Sequence, residues 1–278
     1  MKNVTENIYA ELISPGCNVG IISTPKGDVI VDTPILSRHA ATITGALGAE
    51  NRGSARYLIV THPHGDHILG TGLFGEDVIV IGSRFTYEQM KKYESAEARA
   101  WAESWNWQNQ DEVEEMANAR IKLPEIIFED ELNLELGGLE IQILPLPGHQ
   151  RNVTGVFVPK YRALFTGDAL FNENHPYMAE GNFQVWLDSL EKMKALKPDF
   201  IVPGHGPVCG IETVSKQQSY MERMMKIAET WNPEAGEEAI PSDALDALLA
   251  YYPLHGRPEA YIKARMIESI RTAGNPKF

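Results

Sequence analysis

Three histidines and an aspartate lie within six residues, in His62-Pro63-His64-Gly65-Asp66-His67, and this segment constrains the chain more than any other feature. The whole chain of 278 residues has only eight histidines, so such a density is rare by chance. His62 and His64 are two residues apart, so both can point the same way from an extended loop, while Asp66 and His67 on the next turn can face a second point. Imidazole and carboxylate groups are ligands of Zn²⁺ and other divalent first-row ions. The segment therefore predicts a metal-binding loop.

A second pattern recurs three times downstream: an apolar strand, a turn containing Gly or Pro, and then one His or Asp. The three copies are Ile143–His149, Leu164–Asp168 and Phe200–His205. Strand ends are rigid, and glycine lets the backbone turn sharply, so several such side chains can converge at one edge of a sheet. A single His after Pro-Gly is more often a turn residue than a ligand. Four strand ends that together carry five histidines and two aspartates favour a shared site.

With these residues the chain resembles the metallo-β-lactamase-fold hydrolase superfamily. The HxHxDH signature of that superfamily is matched by His62, His64, Asp66 and His67, and its later His, Asp and His by His149, Asp168 and His205. The resemblance runs from about Val19 to Val208. It implies an αβ/βα four-layer sandwich, an α/β fold with the metals at one edge of two packed sheets.

The resemblance also implies a role for each residue. The first metal would be held by His62, His64 and His149, the second by Asp66, His67 and His205, and Asp168 would bridge them. Asp32, at the end of the strand Val29–Asp32, matches the aspartate that supports the metal loop from behind its ligands. We expect two zinc ions, with iron or manganese as possible alternatives.

The domain organisation follows from the element pattern. We expect a catalytic domain over residues 1–210, with a helical insertion at about 86–120, and a helical C-terminal extension over 211–278 packed on the same domain. In the insertion, Trp101, Trp105 and Trp107 belong either to a helix packed on the core or to a cap over the substrate pocket. The pattern predicts these elements: a β-meander from Tyr9 to Asp32, helix Arg38–Leu47, strand Arg56–Val60, a hairpin of Leu132–Leu136 and Leu139–Leu144, and helices Phe183–Leu196, Thr213–Trp231, Asp243–Tyr251 and Glu259–Thr272.

The composition of the chain limits the classes of binding partner that we expect. The formal net charge of −13 repels polyanions, and the chain has no strong basic patch, so we expect no nucleic acid partner. No apolar run is long enough to span a membrane, and Cys17 and Cys209 form neither a disulfide framework nor a CxxC metal site. These features indicate a cytoplasmic monomer or homodimer that acts on a small molecule.

The chemistry implied by the resemblance is hydrolysis. Two divalent ions that share a water lower its pKa enough to provide hydroxide at neutral pH, and Asp66 is placed to orient that nucleophile or to move its proton. Gly167–Phe171 looks like the matching stretch of glyoxalase II-type thioesterases, although their basic glutathione-binding tail is not recognisable here. Acyl-homoserine lactonases carry Tyr at the position of Phe171, which makes Tyr177 the candidate oxyanion donor here. His175 on the same loop is either a substrate contact or general acid, or an exposed loop histidine.

The resulting hypothesis is a dinuclear zinc hydrolase of a small ester, lactone or thioester. An iron-dependent oxidoreductase of the persulfide dioxygenase type shares this fold and much of the ligand set, and metal identity separates the two. A zinc β-lactamase is less favoured because Asp168 stands where the single-Cys enzymes carry Cys. A phosphodiesterase is disfavoured by the acidic charge.

Overall fold

The described strands form two sheets that pack face to face. The computed structural model describes residues 1–13, 16–49, 55–93, 99–100, 103 and 109–278. The first sheet contains seven strands in chain order: β1 (Lys2–Thr5), β2 (Ile8–Glu11), β3 (Val19–Ile22), β4 (Asp28–Val31), β5 (Ala55–Ile59), β6 (Ile79–Ser83) and β7 (Ile126–Phe128). The second contains five strands: β8 (Leu132–Leu136), β9 (Leu139–Pro145), β10 (Thr154–Val158), β11 (Ala163–Phe165) and β12 (Phe200–Val202).

Strand direction changes within each sheet. Strands β2 to β4 form the expected antiparallel meander, β1 adds an antiparallel strand beside β2, and β4 to β7 pair in parallel. In the second sheet, β8 to β11 are antiparallel neighbours, and β12 pairs with β11 in parallel. Parallel neighbours need crossover connections, which place helices on the outer faces of the sandwich. The described helices are α1 (Ser37–Ala49), α2 (Gly65–Ile68), α3 (Arg84–Met90), α4 (Gln110–Ala117), α5 (Phe183–Leu196), α6 (Glu212–Thr230), α7 (Ser242–Leu249) and α8 (Glu259–Gly274).

The alternating direction of the side chains along each strand produces the layers. In β4, Val29 and Val31 face the second sheet, while Ile30 faces the layer that contains Ile43 of α1. Successive side chains of a strand point to opposite faces, so a strand that is buried throughout must be covered on both sides. The expected four-layer α/β sandwich with C-terminal helices is therefore confirmed.

Helix α5 and the C-terminal helices cover the outer face of the second sheet. Trp186 and Leu190 of α5 belong to one apolar cluster with Tyr220 of α6 and Ile270 of α8. None of the described helices combines the length and the apolar character that crossing a bilayer requires. The domain boundary at residue 210 remains a prediction.

The insertion at 86–120 is described only in part. Its described helices are the end of α3 and all of α4, and α4 packs Val113 and Met116 on Leu69, beside the histidine-rich loop. Trp101, Trp105 and Trp107 lie outside the described residues, so their proposed cap remains a prediction.

Candidate metal centre

The polar residues singled out in the sequence follow strands whose carboxyl ends lie at one edge of the sandwich. β9 and β11 run in the same direction because both are antiparallel to β10, and β12 is parallel to β11. Backbone hydrogen bonds tie the following loops together, from Thr154 N–H to the Thr61 carbonyl across the two sheets and from Gly204 N–H to the Gly167 carbonyl, each 2.8 Å long. The loops therefore hold their side chains in fixed relative positions.

Two groups of ligand-type atoms result, each with its atoms within 4.8 Å of one another. The first group is His62, His64, His149 and Asp168, and the second is Asp66, His67 and His205. The side chains are largely withdrawn from solvent, with His64 and His205 the most exposed at 23% and 20%. All seven sequence-predicted candidates are brought together.

Asp168 lies between the two groups and turns one oxygen to each. Its Oδ2 is 3.8 Å from His62 Nε2 and 3.5 Å from His149 Nε2. Its Oδ1 is 3.3 Å from His67 Nε2 and 3.4 Å from His205 Nε2. Asp66 Oδ2 is 3.2 Å from His205 Nε2, on the side of the second group.

Hydrogen bonds on the outer side fix the ring tautomers of the first group. His149 Nδ1–H donates to the Tyr177 carbonyl at 3.0 Å, which leaves Nε2 free of a proton. The single hydroxyl hydrogen of Thr61 is donated to Asp32 Oδ2 at 2.8 Å, so His62 Nδ1–H donates to Thr61 Oγ1 at 3.0 Å. Both rings therefore direct a lone pair at Nε2 into the centre.

Asp32 supports both the strand end and the second group. Its carboxylate accepts 2.8 Å hydrogen bonds from Thr61 N–H and from His67 Nδ1–H, besides the Thr61 hydroxyl. Asp32 is 2% exposed and has the left-handed backbone angle φ = 62°, an unusual conformation for a residue other than glycine. Strained backbone of this kind is concentrated at functional sites.

Two glycines make the close packing possible. A Cβ at Gly204 would lie 2.0 Å from Asp168 Oδ1, and a Cβ at Gly148 would lie 2.3 Å from Trp186 Cβ. Gly148 also has φ = +140°, which L side chains rarely adopt. Close contact therefore requires glycine before both His149 and His205, and the backbone angle requires it at Gly148 as well.

The electrostatics of the two groups differ. Burial, reinforced by the neighbouring His64, lowers the pKa of His149 to about 3, and burial next to His67 holds the pKa of His62 well below its usual value. Burial alone would lower the pKa of His205, but Asp168 and Asp66 outweigh it and raise the pKa to about 9. His62 and His149 of the first group therefore present neutral imidazoles, whereas the carboxylates hold a proton on His205 of the second group that a cation would displace.

A metal ion fits this arrangement on evidence independent of motif. Among the described residues, His62 Nε2, His67 Nε2 and Asp168 Oδ1 are buried without a hydrogen-bond partner, and all three face the centre. Buried polar atoms are rarely left unpaired, because their desolvation is not repaid. Nitrogen and carboxylate oxygen donors of this kind suit a divalent first-row cation.

The family assignment agrees with this site. A family model described as the metallo-beta-lactamase superfamily matches residues 15–205, which contain every ligand candidate. The chain belongs to the metallo-beta-lactamase superfamily. The family match together with its hydrolase-named relatives identifies the chain as a metal-dependent hydrolase.

Individual relatives of this superfamily are distant. The chain is 25% identical over 76% of its length to the beta-lactamase-like protein 2 homolog of Caenorhabditis elegans and spans 62% of that relative. It is 27% identical over 88% of its length to a hydroxyacylglutathione hydrolase of Rhodopseudomonas palustris, and the match spans 70% of that enzyme. A metallo-beta-lactamase family protein from Thermus thermophilus superposes with a TM-score of 0.68 at 18% identity, covering 96% of this chain and 93% of the other, which supports the fold.

Cys17 lies closer to the candidate metal centre than its sequence context predicts. Its Sγ lies within 4.8 Å of ligand-type atoms of Asp32 and His67. Complete burial raises the pKa of the Cys17 thiol to about 12, and the thiol donates to the Thr33 carbonyl at 3.3 Å. A protonated thiol is a poor metal ligand. Cys17 therefore lies beside Asp32 and His67 as a buried, hydrogen-bonded thiol.

His175 and Tyr177 lie on one loop but in different surroundings. Both ring nitrogens of His175 are engaged, one 3.2 Å from the Tyr220 hydroxyl and the other 3.1 Å from the Tyr252 carbonyl, and the side chain is buried. This placement favours a structural role over the substrate contact or exposed loop residue expected from sequence. Tyr177 is half-buried, and its hydroxyl is 3.4 Å from Glu180 Oε1.

Three supporting residues were missed by sequence reasoning: Thr61, Gln150 and Glu180. Thr61 and Gln150 are chain neighbours of His62 and His149, so adjacency could have suggested them. Glu180 Oε2 is 3.2 Å from His64 Nε2, although the two residues are 116 positions apart. No local sequence pattern predicts such a contact.

Proposed function

We propose that this chain is a two-metal hydrolase of a small ester, lactone or thioester, with zinc as its native metal. The observation that carries the proposal is the position of Asp168, which turns Oδ2 to one group of imidazoles and Oδ1 to the other. A single-metal site needs no such shared carboxylate. Both sets of candidate ligands are present in full.

In this proposal each set holds one cation. His62, His64 and His149 hold the first, Asp66, His67 and His205 hold the second, and Asp168 is shared. The hydrogen bonds that the outer ring nitrogens donate to Thr61 Oγ1, to the Asp32 carboxylate and to the Tyr177 carbonyl orient the rings. Such partners raise the basicity of the ligands and fix their direction.

Two divalent ions would supply hydroxide at neutral pH and would polarise the carbonyl of the substrate. Asp66 contributes a carboxylate beside the nucleophile that can accept or return a proton. Burial and the nearby Glu180 raise the pKa of Tyr177 to about 12, so its phenol stays protonated and suits hydrogen-bond donation to a developing oxyanion. His175 has no part in this proposal because its ring nitrogens are already engaged.

Thioesters are the first substrates to test within this class. The support is the similarity to a hydroxyacylglutathione hydrolase over 88% of this chain. The acidic net charge of −13 argues against polyanionic phosphodiesters. The carboxylate at Asp168 argues against the single-Cys β-lactamases, as the sequence comparison already indicated.

The test is a substrate panel on protein loaded separately with zinc, manganese or iron. It contains a thioester, a lactone, an aryl ester, a β-lactam and a phosphodiester, with oxygen consumption followed in parallel on a persulfide. Turnover of one of the first three by the zinc form, abolished in Asp168→Ala, supports the proposal. Oxygen uptake by the iron form without any hydrolysis would refute it and favour the persulfide dioxygenase alternative.

A further inference from the structure

The loop 172–182, the second part of the connection from β11 to α5, lies between the candidate metal centre and the C-terminal helices. We infer that Glu180 on this loop is a positioning residue for His64, and that α8 holds the loop in place for this task. The inference rests on the proposed function only in that His64 binds a metal. It assigns a role to a residue with no motif around it.

The contact between Glu180 and His64 sets the ring of His64. His64 Nδ1 is 3.0 Å from His149 Nε2, so Nδ1 faces the centre and Nε2 faces outward. Glu180 Oε2 lies 3.2 Å from that outer nitrogen, and Gln150 Nε2 lies 2.8 Å from it. When Nδ1 of His64 binds a metal, the proton of the neutral ring is on Nε2, and Glu180 Oε2 is the carboxylate that accepts it. Gln150 Nε2 donates to the same oxygen of Glu180 at 2.5 Å and restrains it. A carboxylate on the distal nitrogen fixes both tautomer and orientation of a ligand imidazole.

His64 needs this support more than its neighbours do. The side chains of His62 and His149 are 0% and 1% exposed and are held by packing, whereas that of His64 is 23% exposed. An imidazole at a solvent edge can rotate away from a metal. Among the residues that the structure describes, Glu180 provides the carboxylate that opposes this rotation.

The same loop serves a second ligand of the first group. The Tyr177 carbonyl accepts the hydrogen bond from His149 Nδ1–H at 3.0 Å. In contrast, His67 of the second group is held by Asp32, which follows β4 on the other sheet. The contacts that residues 177–180 make with ligand side chains are therefore confined to the first group, whereas the first residue of the loop, Asn172, donates its N–H to the His205 carbonyl of the second group at 3.0 Å.

Contacts from the C-terminal helices fix the loop. The Thr272 hydroxyl of α8 donates to the Ala179 carbonyl at 2.7 Å, next to Glu180. The Arg265 guanidinium of α8 lies 4.5 Å from the centre of the Tyr177 ring. Two further contacts join the His175 ring to the Tyr252 carbonyl and Lys277 N–H to the Gly181 carbonyl. Each contact is with the backbone or a ring of the loop, so α8 and the segments on either side of it determine where Glu180 lies.

The consequence is specific to one site. Loss of Glu180 weakens metal binding at the first site and leaves the second site unchanged. Outer partners of ligand histidines typically contribute 10–100-fold to affinity. The side chain of Glu180 is 49% exposed, which puts the expected effect at the lower end, about tenfold.

The experiment measures zinc affinity by competition with a chromophoric chelator, in a His205→Ala background that leaves the first site intact. The variants are Glu180→Ala, Glu180→Gln and the control Glu173→Ala, which removes an exposed carboxylate from the same loop. We expect about tenfold weaker binding for Glu180→Ala, a smaller loss for Glu180→Gln, and less than twofold for Glu173→Ala. Thr272→Val should produce a loss in the same direction as Glu180→Ala.

Two results would overturn the inference. Unchanged affinity in Glu180→Ala would show that His64 needs no support, and equal losses in Glu180→Ala and Glu173→Ala would show a general effect of charge. The reciprocal background, His64→Ala, must show equal second-site affinity with and without Glu180, which also reports on folding. Wild-type protein that binds one metal, lost in His64→Ala, would refute the two-metal proposal while leaving the comparison at Glu180 valid.

Discussion

Replacing Asp32 by Ala should destabilise the fold strongly even in the absence of metal. Its carboxylate accepts three hydrogen bonds of 2.8 Å, from Thr61 N–H, the Thr61 hydroxyl and His67 Nδ1–H. The Thr61 hydroxyl can turn to another acceptor, but two buried donors then remain unpaired at about 1–3 kcal/mol each. The left-handed backbone at Asp32, with φ = 62°, adds to the cost for Ala. We expect a loss of about 4 kcal/mol.

Urea unfolding in excess chelator measures this loss without a metal contribution. The control is Asp188→Ala, an exposed aspartate on α5, which should stay within about 0.5 kcal/mol of wild type. Asp32→Asn should fall between the two, because an amide keeps one acceptor. An Asp32→Ala protein as stable as the control would refute the claim that this carboxylate organises the loop.

Three further predictions concern packing, protonation and metal. Gly204→Ala places a Cβ 2.0 Å from Asp168 Oδ1 and should cost about 1–3 kcal/mol in urea unfolding, whereas Gly45→Ala in α1, with nothing within 4 Å, should be neutral or stabilising. Burial lowers the pKa of His175, so the unfolded chain binds a proton at this residue more tightly than the folded chain does, and stability should fall as pH drops below about 6.5. Urea unfolding at several pH values should show a smaller fall in His175→Gln than in wild type. An identical fall in the two proteins would contradict this prediction. Zinc at one hundred times its dissociation constant should raise the unfolding free energy by about 2.7 kcal/mol per site, and a thermal midpoint insensitive to zinc would contradict the metal assignment.

Much of the fold could be predicted because its signals are local. Helix α5 runs from Phe183 to Leu196, as the sequence pattern predicts, since Asn182 caps its first turn and apolar residues recur along one face. The hairpin of β8 and β9 follows from the Gly137-Gly138 pair, which has φ = 60° and 82°. Strand β1 was missed because its residues are exposed or half-buried and lack an apolar alternation.

The convergence of the candidate ligands was predictable for the same reason. Each one follows an apolar strand after a short turn, and parallel strands bring such turns to one edge. The surroundings of His175 and Glu180 could not be predicted, because they depend on how α8 and Tyr252 pack against the loop. Tertiary contacts between residues far apart in the chain produce no periodic pattern in the sequence.

The central claim is that this chain holds two metal ions at the two groups that share Asp168. It is tested most directly by mass spectrometric metal analysis of protein purified without added metal, together with His64→Ala and His205→Ala. The account predicts about two zinc ions per chain and about one in each variant. One iron per chain, unaffected by His205→Ala, would contradict it.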